Sequence, residues 1–281
     1  MAKGLSLHIG VNAVDPAHYS GWSGELAACE FDAESMLEIA QQCGYEASTL
    51  ITAQATRKRV ADTIRSAASQ LVTGDIFFIS YAGHGGQVPD KNGDEPDGAD
   101  ETWCLYDGML IDDELHDLWG SFASGVRVLV VSDSCHSGTV NRAARGGLDL
   151  KAATEQFKAY GIEKPRFRFM PPSEAIKTYR ANKRFYDELG HSLPADMPPP
   201  AATVRLISGC QDDQLSSDGT FNGLFTATLL KVWNNGKFDG DYSGFHGEII
   251  KRMPAIQQPN HFVIGPPNTA FDRQRPFDIT G

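Results

Sequence analysis

The chain has no run of about eighteen apolar residues, so nothing in it reads as a membrane span. Its first residues, MAKGLSLHIGVNAV, hold one lysine and only a brief apolar run, which suits a strand better than a secretory leader. Both readings place the protein in the cytoplasm. There is no CxxC pair, and the five cysteines, Cys29, Cys43, Cys104, Cys135 and Cys210, are odd in number and far apart. That pattern argues against a disulfide framework and for reduced thiols. Positive charge is also short: the formal net charge is −11, which excludes non-specific binding to nucleic acid and favours cationic partners. No internal repeat is visible.

What is present is ordinary for a globular protein, with 41% hydrophobic and 22% charged residues in 281. That length suits one main domain spanning 1–281. Leu5 to Val11 reads as a buried strand, and the helical spacing of Leu26, Cys29, Ala33, Met36, Leu37 and Ala40 predicts a helix ending at Gly44. A weak strand at 47–52 and a helix capped by Thr56 repeat the pattern. The runs IFFISY (Ile76–Tyr81) and VRVLVV (Val126–Val131) are nearly continuous apolar strands, as expected where both faces are covered. A loop is expected from Gly83 to about Asp100, then a strand at 102–106, a helix at 113–122, a strand at 203–207 and helices at 224–233 and 245–253. Alternation of this kind predicts an α/β three-layer sandwich, a mostly parallel sheet with helices on both faces. Between about 141 and 202 the periodicity fails, and the stretch reads as an irregular basic insertion.

Two strands end in unusual residues. IFFISY runs into Ala82-Gly83-His84-Gly85-Gly86, and VRVLVV into Ser132-Asp133-Ser134-Cys135-His136-Ser137-Gly138. If the strands are parallel neighbours, His84 and Cys135 project from one sheet edge, where sites of such folds gather. A thiolate attacks a carbonyl, and an imidazole takes the thiol proton or protonates the leaving amine. Backbone N–H groups at Gly85 and Cys135 are candidates for holding the oxyanion. Asp133, beside the thiol, suits a bidentate pair with a guanidinium. A metal site from His84, Cys135 and His136 is less suited, because adjacent Cys and His side chains do not readily serve one tetrahedral ion.

SYAGHGGQ and VVSDSCHSGT resemble the two catalytic motifs of metacaspases, especially the short prokaryotic relatives called orthocaspases. The resemblance extends through NGDEPDGADETW, MLIDDELHDLW and LISGCQDDQLSSDGTFNGLFTATLL. It implies a caspase-like sandwich, a Cys135–His84 dyad, cleavage of protein substrates after Arg or Lys, and a monomer. It also implies a specificity pocket that includes Asp133, Cys29 and Asp32. Ala82 stands where many metacaspases have Ser, which leaves the choice between Arg and Lys open. No cofactor is required. Calcium-dependent members use four carboxylates, and the matching positions are Asp100, Asp112, Asp113 and Arg142. A cation at the fourth disfavours calcium, which takes six to eight oxygens.

The insertion carries Arg142, Arg145, Lys151, Lys158, Lys164, Arg166, Arg168, Lys177, Arg180, Lys183 and Arg184, all targets of the implied specificity, so self-cleavage there is expected. The loop from Ser208 to Gly219 is expected to wall the cleft, with Asp212 or Asp213 facing substrate charge. Two alternatives stay open: a caspase-clan protease of other specificity, and a silent scaffold that keeps the fold.

Overall fold

The structure is a computed structural model that describes residues 2–280 except 94, 96, 97, 136–149, 161, 163, 164 and 211–215, and omits the side chains of 150–153. Its frame is a six-stranded sheet. In chain order these strands are β1 (Gly4–Gly10), β2 (Glu46–Ile51), β3 (Ile76–Ala82), β7 (Arg127–Asp133), β9 (Thr203–Ser208) and β11 (Asn260–Ile264). Across the sheet they run β11-β9-β7-β3-β1-β2, all parallel except β11 on β9. The smaller strands β4 (Gly85–Pro89), β5 (Ala99–Leu105) and β6 (Gly108–Ile111) form an antiparallel sheet, and β8 (Arg166–Phe167) pairs with β10 (Ser217–Asp218).

The uninterrupted apolar runs are explained by burial on both faces. Phe77, Ile79, Tyr81, Val128 and Val130 belong to one core, and Ile76, Phe78, Leu129 and Val131 to the other. The first core is closed by α2 (Arg57–Gln70) through Val60, Ile64 and Ala67, and by α3 (Asp112–Gly120) through Leu115, Leu118 and Trp119. The second is closed by α1 (Cys29–Gln42) through Met36, Ile39 and Ala40, by α7 (Leu224–Trp233) through Phe225 and Leu229, and by α8 (Tyr242–Ile250) through Phe245 and Ile249. This is the three-layer sandwich expected from the alternation of periods.

Three expectations need correction. The first helix begins at Cys29 rather than Leu26, because tertiary partners satisfy its leading amides: Asn12 Oδ1 accepts from Cys29 N, and Asp218 accepts from Ala27 N and Ala28 N. The glycine-rich stretch after His84 is not all loop. Gly85 to Pro89 is a strand whose small residues fit close against β5, where a Cβ on Gly86 would lie 2.9 Å from Thr102 Oγ1. The 141–202 stretch is far from irregular where it is described. It holds α4 (Leu150–Lys158), α5 (Pro172–Ala181) and α6 (Lys183–Ser192). These helices are short with narrow buried faces, Ala175 and Thr178 on one and Tyr186 and Gly190 on another, too little apolar signal to show as periodicity. Helix α5 starts with Pro at its first turn and packs on β4, and Tyr186 is tied down by His18 Nε2 and Met109 N. The edge strand β11 was not expected at all. Among the described residues, no helix is long and apolar enough to cross a membrane.

Leu129, fully buried in the central strand β7, is a clean probe of this core. Leu129→Ala, in a Cys135→Ala background, is expected to lose about 2–5 kcal/mol in urea unfolding. A loss below about 1 kcal/mol would mean the two layers do not close on β7.

Candidate active site

The sheet register builds the site. Strands β3 and β7 pair in parallel with Ala82 opposite Asp133, so His84 and Cys135, each two residues further on, leave the same carboxyl edge together. The imidazole of His84 is buried against Trp22, ring centroids 4.8 Å apart, and its Nε2 lies 2.9 Å from the Gly24 carbonyl. A carbonyl only accepts, so Nε2 carries the proton and Nδ1 is the free base. Nδ1 has no hydrogen-bond partner among the described residues. Burial pushes the His84 pKa down to about 4, with the Gly24 carbonyl pulling it partly back. Gly24 has φ +53°, and a Cβ there would sit 2.7 Å from the Trp22 ring and 3.1 Å from the imidazole, so only glycine lets this loop hold the ring.

Cys135 is fully buried, and its amide meets the segment 166–170, in which Arg166–Phe167 is a strand and Phe169 forms an isolated bridge with Gly85. Its Sγ contacts the backbone N and O of Ser216 and makes no hydrogen bond to His84. Strand β8 pairs antiparallel with β10, Arg166 opposite Asp218 and Phe167 opposite Ser217. The Arg168 N–H donates to Ser216 O at 3.0 Å, and Met170 N donates to Gly85 O at 2.7 Å. Between them, the Arg168 carbonyl accepts from Gly85 N and Cys135 N, both at 3.0 Å. These are the two amides expected to form an oxyanion hole, and a backbone carbonyl sits between them.

The Arg168 side chain is fully buried and ends among three carboxylates. Nη1 lies 2.8 Å from Asp133 Oδ2, and Nη2 lies 2.5 Å from Asp32 Oδ2 and 2.9 Å from Asp218 Oδ1. Each acid is itself held. Asp133 accepts from the hydroxyls of Ser216 and Thr226, Asp32 from Asn222 Nδ2 and Gly223 N, and Asp218 from Ala27 N and Ala28 N. Gly223 makes room for the guanidinium: a Cβ there would lie 2.7 Å from Arg168 Nη2. Burial raises the Asp32 pKa to about 6, with Arg168 opposing the rise and the Asp133 charge adding to it. The buried guanidinium is held charged well beyond its usual range by the surrounding acids, which outweigh its own desolvation.

Sequence reasoning thus brought His84, Cys135, Gly85, Asp133 and Asp32 to one place. Cys29 and Ala82 are there too, but as a small apolar cluster with Leu26, not as polar contacts. Asp218 and Ser216 were missed, although both lie in the Ser208–Gly219 loop assigned to the cleft wall. Asp212 and Asp213, named in their stead, fall outside the described residues, as do Arg142 and His136. Among the described residues no group of three or more His, Cys, Asp or Glu side chains is placed to hold a metal ion. Asp113 Oδ2 is engaged by Asn92 Nδ2. Burial, then the charges of Glu101, Asp100 and Asp113, raise Asp112 to about 8, so it is largely protonated at neutral pH.

The model of the caspase domain matches residues 5–263. The chain belongs to the caspase-domain family. Metacaspase-1 of Schizosaccharomyces pombe is 31% identical over 258 residues, covering 81% of this chain and 58% of that protein. Metacaspase-1A of Aspergillus fumigatus is 34% identical over 262 residues, covering 81% of this chain and 59% of the relative. This caspase-domain chain therefore spans somewhat over half the length of those curated relatives. Among solved structures, protein GSU0716 from Geobacter sulfurreducens superposes with a TM-score of 0.87 at 54% identity, covering 99% of each chain.

The depressed His84 pKa has a definite stability consequence. The unfolded chain binds a proton on this ring near pH 6.5, the folded chain only near pH 4. Stability contributed by neutral His84 is therefore present above pH 6.5 and lost as pH falls toward 4, at up to about 1.4 kcal/mol per pH unit. Urea unfolding of His84→Gln across that window is expected to show a shallower loss than wild type; equal slopes would show that the ring is not buried neutral.

Proposed function

We propose that the protein is a cysteine endopeptidase that cleaves after Arg or Lys, with Cys135 as nucleophile and His84 as acid and base, and that it cuts itself between Arg168 and Phe169. One observation carries this reading: Arg168 lies as a substrate residue would, its guanidinium among carboxylates and its carbonyl between two N–H donors, one of them the amide of Cys135 itself.

The chemistry follows from that pose. Cys135 Sγ gives up its proton and attacks the Arg168 carbonyl carbon, and the oxygen, now negative, keeps its bonds to Gly85 N and Cys135 N. His84 Nδ1, the free nitrogen of a ring oriented by Gly24, carries the proton to the Phe169 nitrogen as the C–N bond breaks. The imidazole then draws a proton from water, which attacks the thioester and releases Cys135 and a new carboxylate at Arg168. No cofactor takes part. The thiol's contact with Ser216 rather than the imidazole describes a resting arrangement, and such bonds commonly tighten only as reaction begins.

Peptide substrates in trans would use the same groove, adding a strand to β10 as β8 does. The specificity reading rests on acids alone: Asp32 and Asp133 at the end of the groove reject acidic side chains and attract cationic ones. While Arg168 fills the groove no other substrate can enter, so the strand β8 must leave β10 before the protein acts on other proteins. Calcium independence belongs to this proposal, on the ground that Arg142 stands at the fourth matching position. The reading also holds the protein to be a cytoplasmic monomer. A silent scaffold is the weaker reading, because a scaffold has no need of a buried Nδ1 without a hydrogen-bond partner or of two amides on one carbonyl.

Intact-mass analysis tests the central claim. Wild type is expected to yield fragments ending at Arg168 and beginning at Phe169, with none from Cys135→Ala or Arg168→Gln; a wild type that stays whole, or one cut equally in Cys135→Ala, overturns it. Self-cleavage is expected to run at the same rate in calcium and in chelator. A rate that rises with calcium would restore the acidic loop as a functional cation site.

A further inference from the structure

Resting on the peptidase reading, we infer that Trp22 is a positioning residue for the reaction, an indole wall that holds the His84 ring in its working orientation and keeps water off it. Trp22 belongs to neither of the stretches around His84 and Cys135. It lies in the connection between β1 and α1, which the fold brings over the end of β3.

That connection is built to present the indole. Its two arms are tied together, Val14 N donating to Ser23 O at 2.9 Å and Leu26 N to Asn12 O at 2.8 Å. Gly21, at φ +93°, allows the tight turn, which closes with Trp22 N donating to Tyr19 O at 3.1 Å. Tyr19 anchors the indole, with ring centroids 5.9 Å apart. Tyr19 itself is fully buried, and its hydroxyl donates to the Leu105 carbonyl at 2.7 Å. The indole thus meets a fixed tyrosine and the imidazole, whose plane is tilted 56° to its own.

Gly24 completes the arrangement, since a Cβ there would strike both rings. Its carbonyl selects the tautomer of His84, and the flat indole limits how far the ring can turn about that one hydrogen bond. Trp22 is partly exposed, whereas His84 is only 6% exposed. A large apolar side chain that touches the imidazole and is itself partly in water separates the two.

Removal from water is the main reason the ring stays neutral. The Gly24 carbonyl opposes that effect; of the charged groups, Arg168 lowers the pKa further and Asp218 raises it. Cys135, at the neighbouring strand end, makes no hydrogen bond to the ring. An indole face also attracts an imidazolium, but the net shift is downward, so drying is the larger effect. Taking the indole away admits water and lets the pKa climb back toward 6.5.

The test is the pH profile of hydrolysis of a peptide ending in Arg, by the full-length chain and by Trp22→Ala and Trp22→Phe. In wild type the acid limb of kcat/KM is expected well below pH 6.5. Trp22→Ala is expected to move that limb up by about one pH unit or more and to lower kcat at neutral pH about tenfold. KM is expected to stay within about twofold, because the carboxylates that hold the substrate arginine are unaltered. Trp22→Phe, which restores a flat apolar ring, is expected to bring the limb back to within about half a unit of wild type. An unmoved limb in Trp22→Ala, whatever its rate, overturns the role of Trp22 and leaves the peptidase reading intact. No hydrolysis by wild type overturns both. If Trp22→Ala fails to fold, Trp22→Leu decides: an upward shift of about half a unit or more supports the assignment, and an unmoved limb overturns it.

Discussion

The burial of one guanidinium among three carboxylates organises the active-site end of this molecule. Arg168 draws together α1 through Asp32, the end of β7 through Asp133, and β10 through Asp218. Taking such charges out of water is expensive, and the expense is offset only when every lone pair is met. Here Ser216, Thr226, Asn222, Gly223, Ala27 and Ala28 supply the remaining donors. One cation against three acids leaves the pocket negative, and burial, with the Asp133 charge adding to it, raises the Asp32 pKa. The cluster is therefore a receptor for positive charge that the chain currently fills with its own.

The central sheet explains why that receptor lies beside a thiol. Parallel pairing of β3 and β7, with Ala82 opposite Asp133, fixes His84 and Cys135 at equal distances beyond the same edge. Asp133, the last residue of β7, turns into the pocket, and Cys135 follows two residues later at the groove. The buried acid and the thiol are thus two consequences of one strand end. The amide of Cys135 adds a third, since it shares the Arg168 carbonyl with Gly85.

Both sides of the Arg168–Phe169 bond are anchored. On the amino side Phe167 packs on Phe157, and on the carboxyl side Met170 is buried in the main core ahead of α5. Cutting this bond removes no packing contact by itself. The new carboxylate would still face two amide donors and its guanidinium three acids, so opening the groove to other substrates requires the strand β8 to leave β10 as a separate event.

Much of this was legible in the sequence. The apolar runs 76–81 and 126–131 determined two buried parallel strands, and the residues following each determined which side chains meet at the sheet edge, because side chains beyond a strand end inherit its register. Cys135, His84, Gly85 and Asp133 could be assembled on those grounds, whereas Asp32, on α1, came only from the resemblance to metacaspases. Only the tertiary structure decided that Arg168, one of eleven basic residues in a stretch without clear period, is the one that fills the pocket. Its choice depends on how α5 and Met170 anchor the chain, which no local pattern encodes. Asp218 was hidden for the same reason: its neighbours at Ala27, Ala28 and Arg168 are distant in sequence, and an aspartate in a polar loop looks the same whether it faces water or a buried cation.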